Sequence, residues 1–331
     1  MKILVTGCAG FIGWKTCELL LRENQEVVGI DNLNDAYDAR LKEWRLRQLQ
    51  DHSKPNFRFH HMDIASRSHV ASLWKREASF EAVVNLAARA GVRQSVQDPW
   101  AYYEANLIGT LNLLEGCRLE GPKFILASTS GVYGESKGPF REDQPTDCPL
   151  SPYAASKKAA ETLCHSYHRL YDLDVIVLRY FTVYGPAGRP DMSIFRFIRW
   201  LAEDEPVVLY GDGSQQRDFT YVDDIARGTT AALDLSGFEI INLGGSRPVR
   251  LQTVIGLLEH LIGRHAKIEY HPPNSLDARS TWADISKARK LLGWGPRTAL
   301  DEGLQMAVEW YRENRRSVSY THLTLPTKRI V

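Results

Sequence analysis

Tyr153 and Lys157 stand four residues apart in Tyr153-Ala154-Ala155-Ser156-Lys157, a spacing that puts a phenol and an ammonium on one face of a helix. A positive charge beside a tyrosine favours the phenolate and lowers a pKa that is otherwise about 10. The pair is therefore a candidate base for an alcohol proton, the kind of base that hydride chemistry on a secondary alcohol needs. A second pair, Tyr133 and Lys137 in Tyr133-Gly134-Glu135-Ser136-Lys137, has the same spacing. Spacing alone does not choose between them.

A second group of residues fits a redox cofactor. Gly7-Cys8-Ala9-Gly10-Phe11-Ile12-Gly13 follows the apolar run Ile3-Leu4-Val5-Thr6 and opens a helical pattern. Glycines let a backbone approach a pyrophosphate, and a helix N-terminus offers it unpaired N–H groups and positive dipole. Asp31, at the end of the next apolar run, is suited to accept hydrogen bonds from ribose hydroxyls. Its charge would repel a 2′-phosphate, so NAD is expected rather than NADP. Asp63 and Ile64 after the third run are candidates to bracket the adenine. Leu86, Ala87 and Ala88 after the fourth are small enough for a cofactor to lie close.

The elements that must position these groups alternate regularly. Apolar runs at 3–6, 27–30, 57–59, 82–86, 123–127 and 175–178 are separated by spans long enough for helices, the pattern of buried parallel strands with crossover helices. The fold class is α/β, a doubly wound parallel sheet of the Rossmann type with a smaller C-terminal substrate-binding domain. Residues 1–181 are assigned to the NAD-binding domain, which also receives roughly 215–245; residues 182–214 and 246–316 form the second domain. Within the latter, helices are expected near 194–203, 251–262 and 300–314, with a short strand at 207–210. The tail 317–331 has no helical or turn pattern and is set apart from the fold as non-native or disordered.

Composition narrows the function classes. Among 331 residues, 44% are hydrophobic and 24% charged, with a formal net charge of +1, which gives no global electrostatic case for nucleic acid or a membrane surface. The five cysteines are widely spaced without a Cys-x-x-Cys pair, so neither a disulfide framework nor a metal site is expected. No apolar run approaches the length of a bilayer span, and the strand pattern starts too early for a signal peptide; the expected location is the cytoplasm.

These motifs occur with Asn106-Leu107-Ile108-Gly109-Thr110, Ser128-Thr129-Ser130-Gly131-Val132-Tyr133-Gly134, Pro152-Tyr153 and Arg217-Asp218-Phe219-Thr220-Tyr221-Val222-Asp223-Asp224. Together they resemble the extended short-chain dehydrogenase/reductases, specifically the nucleotide-sugar epimerases and dehydratases, over nearly the whole chain to about Arg316. The resemblance selects Tyr153 over Tyr133 as the base. It implies that Lys157 holds the nicotinamide ribose and depresses the tyrosine pKa, and that Thr129 positions the reacting sugar hydroxyl. It also places Asn106 and Tyr180 among the cofactor contacts.

The same resemblance implies which reaction follows. Related dehydratases place an acidic residue at one or both positions after Thr129, where this chain has Ser130 and Gly131. Return of the hydride, and thus epimerisation, is expected. The segments Asp31–Asp35, Ala87–Arg93 and Arg179–Pro186 with Gly188–Met192 look most like those of 4-epimerases acting on UDP-glucuronate. Thr182, Ser128 and Ser130 are the expected contacts of an acidic sugar. Arg189 and Arg89 are candidates for the bound substrate and Arg217 for its diphosphate. The alternatives are 4-epimerisation of a UDP-hexose or UDP-N-acetylhexosamine, then a dehydratase or decarboxylase, and outside catalysis an NAD-binding sensor or assembly protein. A homodimer is implied, pairing the helix after Tyr153 and the one around 106–115 with their mates. Asn85, Gly131 and the segment 274–279 depart from the common pattern.

Overall fold

Strands buried on both faces need apolar side chains at nearly every position, and the N-terminal runs meet this requirement by sending alternate residues to opposite faces. In the computed structural model, which describes residues 1–52, 55–77, 79–273 and 278–318, Ile3 and Val5 pack into one core layer and Leu4 into another. The strands are β1 (Lys2–Thr6), β2 (Glu26–Asp31), β3 (Phe57–His61), β4 (Ala82–Asn85), β5 (Lys123–Thr129) and β6 (Val175–Tyr180). With Phe238–Leu243 they form a seven-stranded sheet in the order Phe238–Leu243, β6, β5, β4, β1, β2, β3. Every pairing in it is parallel.

From β1 the chain winds outward through β2 and β3, then returns to place β4 on the other side of β1. This reversal opens a crevice at the carboxyl ends of β1 and β4, the usual ligand position in such sheets. A buried hydrogen-bond chain fixes the crevice floor. Thr6 Oγ1 donates to Asn85 Oδ1 at 2.7 Å and accepts from the Ala87 amide at 2.9 Å, and Asn85 Nδ2 donates to Thr110 Oγ1 at 3.0 Å. Asn85, which departs from the common pattern, thereby ties both strand ends to the helix Gly109–Glu120.

A third core layer lies in the C-terminal part, where the helices Ser193–Glu203, Leu251–Ile262 and Leu300–Val318 enclose residues such as Phe197, Leu209, Leu258 and Val308. The strand Gln216–Tyr221 belongs here and not with the seven-stranded sheet. It pairs with Thr182–Tyr184, Pro248–Arg250 and Ser280–Thr281, so of the expected return at 215–245 only Phe238–Leu243 adds a strand to the large sheet. Only long-range pairing tells which sheet the strand Gln216–Tyr221 joins. A separate two-stranded sheet pairs Val207–Tyr210 with Ile268–His271.

Two local boundaries also differ. The helix expected around 106–115 is a five-residue π-turn, Glu104–Ile108, followed by the α-helix Gly109–Glu120. The last helix continues through residues 317 and 318; the rest of the proposed tail, 319–331, and the segment 274–277 lie outside the described residues. Among the described residues no helix is long and apolar enough to cross a membrane.

Candidate active site

The glycine loop is shaped so that only glycine fits at its contact points. Gly7 has φ +68°, and a Cβ there would stand 2.7 Å from the Ala87 amide nitrogen; one at Gly13 would stand 2.0 Å from the Gly7 carbonyl oxygen. The helix Phe11–Arg22 therefore starts against the strand end with its first turn bare, a cradle suited to a pyrophosphate. Asp31 is buried at the tip of β2, accepting from the Ala9 amide at 3.2 Å through one oxygen and from the Leu33 amide at 2.8 Å through the other. Asn32 donates to Asp63 at 2.8 Å, which links the ends of β2 and β3. Gly7, Gly10, Phe11, Ile12, Gly13, Asp31, Asn32, Asp63, Ile64, Leu86, Ala87 and Ala88 all face one cavity of about 580 Å³, so the donors, the acidic group and the small-residue wall of a dinucleotide site converge.

Further along the cavity, local sequence sets the reactive pair. Ser151 caps the helix Pro152–Tyr171 by accepting from the Ala154 amide at 3.2 Å, and Pro152 occupies its first turn, both favourable at a helix start. Tyr153 and Lys157 consequently share one face and both line the cavity. Tyr153 lines the same cavity as Thr129, which ends β5 and accepts from the Gly131 amide at 3.1 Å. Tyr133 is different: it is buried, donates to Asn242 Oδ1 at 2.7 Å and stacks on Phe140. It is part of the core, and the ambiguity between the two pairs is resolved.

Burial is the largest electrostatic influence on both members of the pair. Burial pushes the Tyr153 phenol above its ordinary value, and the groups that pull it down are Thr129, by hydrogen bonding, and the Arg189 guanidinium. Burial draws Lys157 itself down to about 8, opposed by the Glu161 carboxylate one helical turn away. Glu161 is held in turn by Arg179 (Nε to Oε1 3.0 Å, Nη2 to Oε2 2.8 Å) and by Ser128, which donates at 2.5 Å. The Glu161 carboxylate thus acts on Lys157 through its charge, while its ion pairs are with Arg179 and Lys158.

The cavity as a whole is lined by more cations than anions. Arg93, Arg189, Arg196 and Arg217 line it with Lys42 and Lys157, against Asp31, Asp63 and Asp191. Such a balance suits a ligand with several negative charges. Thr182, Ser128, Ser130 and Tyr180 also line it; the Tyr180 hydroxyl is paired with Thr229 at 2.8 Å. Residues 3–244 match the NAD dependent epimerase/dehydratase family. The chain belongs to that family.

Relatives within the family resemble it over nearly their full lengths. A UDP-glucuronate 4-epimerase of Thermodesulfobacterium geofontis is 55% identical over 313 residues, 94% of this chain and 96% of that protein. The UDP-glucuronic acid 4-epimerase of Bacillus cereus, solved with UDP-glucuronic acid and NAD, is 40% identical with a TM-score of 0.89, covering 95% of this chain and 99% of that one. A UDP-glucose 4-epimerase of Thermotoga maritima, solved with UDP-glucose, is more distant at 33% identity and a TM-score of 0.85, with 95% and 100% covered.

Two residues expected in this family member's site stand outside the cavity lining. Asn106 has its amide bonded to the protein: Oδ1 accepts from the Arg89 amide at 2.9 Å, and Nδ2 donates to the Arg89 carbonyl at 3.0 Å and to Ser156 Oγ at 2.9 Å. It positions the loop after β4 and does not face the cofactor cradle. Arg89 points to Asp35, at 3.7 Å. Conversely, Tyr37, Lys42, Asp191 and Arg196 line the cavity and were not singled out by sequence. Lys42 and Arg196 sit on helices whose charged positions read as solvated, and only the fold turns them inward. Lys42 donates to Asn34 Oδ1 and to its carbonyl at 2.7 and 2.8 Å, and burial draws its pKa down to about 8.

Proposed function

We propose that the protein interconverts UDP-glucuronate and UDP-galacturonate by epimerisation at C4. The observation that carries this reading is the meeting, in one cavity, of Tyr153 and Thr129 with a dinucleotide cradle, Thr182 and Arg189. The relatives that act on UDP-glucuronate support the choice of sugar.

The glycine cradle and Asp31 would hold NAD, and Lys157 would take its nicotinamide ribose. When bound, NAD supplies a reversible hydride acceptor and an added positive charge. Tyr153 takes the proton of the C4 hydroxyl, while Thr129 donates to or accepts from the same oxygen and keeps it within reach. The 4-keto sugar then turns about its diphosphate linkage, which Arg217 grips, and Tyr153 returns its proton once the opposite face is presented. A 4-keto uronate is a β-keto acid prone to lose carbon dioxide. Hydrogen bonds from Thr182 and Ser130 and the charge of Arg189 keep the carboxylate anchored and so oppose that loss. No carboxyl group follows Thr129 to assist elimination, because the next residues are Ser130 and Gly131.

Incubation with UDP-glucuronate and no added cofactor, followed by chromatography, is expected to yield UDP-galacturonate alone. UDP-xylose would identify a decarboxylase, and turnover confined to neutral UDP-sugars would remove the uronate assignment. The catalytic reading also includes two domains, with 1–181 holding NAD and the region of the third core layer covering the substrate, and a location in the cytoplasm.

The proposal extends to a homodimer formed through the helices Pro152–Tyr171 and Gly109–Glu120. Supporting it, Leu119 is 72% exposed and Leu170 70% exposed on those two helices, the apolar exposure that marks interaction surfaces. Light scattering is expected to give twice the 37.5 kDa chain mass, and Leu119→Glu with Leu170→Glu to return the monomer. A wild-type monomer at working concentration would refute the dimer.

A further inference from the structure

The backbone of residues 89–91 forms a strap along the cavity wall, with Ala90 and Gly91 facing inward. Its course depends on Gly91, whose φ is +125° and where a Cβ would stand 2.5 Å from Gln94 Oε1 and 3.3 Å from the Tyr102 hydroxyl. Asn106 clamps the Arg89 end of the strap. At the other end the Ala90 carbonyl accepts two hydrogen bonds, from Arg189 Nη2 at 2.9 Å and from the Tyr102 hydroxyl at 3.3 Å. Arg189 is further aligned by Asp191, with contacts of 3.1 and 2.6 Å.

Tyr102 makes a second contact of consequence. Its ring meets that of Tyr153 edge to face, with centroids 6.1 Å apart and planes at 73°. Such pairs fix relative orientation as well as burying area. Tyr102 is buried, and it does not itself line the cavity. Its side chain therefore touches both the base and the carbonyl that aims the cavity's arginine.

We propose that Tyr102 is a positioning residue for both halves of the reaction: its ring sets the Tyr153 ring, and its hydroxyl holds the Ala90 carbonyl against which Arg189 is directed. The assignment of Arg189 to an acidic sugar rests on the function proposed above; the placement of Tyr153 does not. Two variants separate the two contacts. Tyr102→Phe keeps the ring and removes one hydrogen bond, so KM for UDP-glucuronate is expected to rise about three- to tenfold with kcat within about twofold. Tyr102→Leu removes the ring as well, and kcat is expected to fall about tenfold, with the Tyr153 limb of the pH profile displaced.

The experiment measures kcat, KM and pH profiles of the NAD-bound protein, normalised to folded enzyme. A residue with only a structural role would lower the melting temperature while leaving all three unchanged, and that result overturns the proposal. Should Tyr102→Leu fail to fold, Tyr102→Phe decides by its split between KM and kcat. A wild type inactive on UDP-glucuronate would overturn the choice of sugar instead. The same variants are then measured on the UDP-sugar it does turn over, where unchanged kcat and pH profile would overturn the positioning of Tyr153.

Discussion

Tyr153→Phe is expected to lower turnover of UDP-glucuronate by about 10²- to 10⁴-fold, the range attached to loss of a positioned general base, while the protein keeps NAD. The phenol is proposed to move the C4 hydroxyl proton because it lines the cavity together with Thr129. The ring contributes separately through its packing on Tyr102, and phenylalanine preserves that packing. The helix start is also preserved, since its cap is Ser151 and not Tyr153. Product formation by chromatography and retained NAD by absorbance of the purified protein check both halves. Near-normal turnover would remove Tyr153 from the proton path.

Glu161→Gln is expected to cost about 3–5 kcal/mol of stability, because it leaves a buried guanidinium without its counter-charge. The side chains of Arg179 and Glu161 are each only 2% exposed, so water cannot replace the lost carboxylate. A second effect separates this substitution from simple destabilisation. The carboxylate favours the ammonium form of Lys157, opposing the burial that brings it to about 8. Lys157 is therefore charged below that value and loses its charge as the pH rises through it. Removing the Glu161 charge moves the loss lower still, and the alkaline fall of kcat/KM should shift to lower pH. Denaturant unfolding measures the first effect and the pH profile the second. An unmoved alkaline limb would show that the carboxylate does not govern Lys157.

The two halves of the Glu161 network explain why some of the site was legible and some was not. Tyr153 and Lys157 lie four residues apart on one helix that begins at Pro152, so their sharing a face follows from helical geometry. The glycine loop is legible for the same reason: strand, turn and helix are contiguous. Arg179, on β6, reaches Glu161 on the helix Pro152–Tyr171 only because that helix packs over β5 and β6. Its charge inside a run of buried apolar residues was the available signal, in Val175-Ile176-Val177-Leu178-Arg179-Tyr180, where all six are buried.

Asn106 and Arg89 show the opposite case. Both belong to motifs of the family and both were expected at the ligand, yet motif membership does not tell whether a polar group faces the ligand or supports what does. Asn106 faces the strap backbone and supports its Ala90 neighbour; Tyr102, not singled out by sequence, does the same from the next helix.

By itself the sequence determined the parallel sheet and the cofactor loop, because each arises from short-range periodicity and glycine placement, and its family motifs marked the tyrosine–lysine helix. Tertiary structure decided which sheet Gln216–Tyr221 joins, that Thr129 meets Tyr153 in one cavity, and that Arg189 and Tyr102 converge on the Ala90 carbonyl. These are contacts between groups far apart in the chain, whose desolvation and distance are set by packing. For Tyr153, burial in the folded site pushes the phenol above its ordinary value, and an opposing charge comes from Arg189, 36 residues further along the chain.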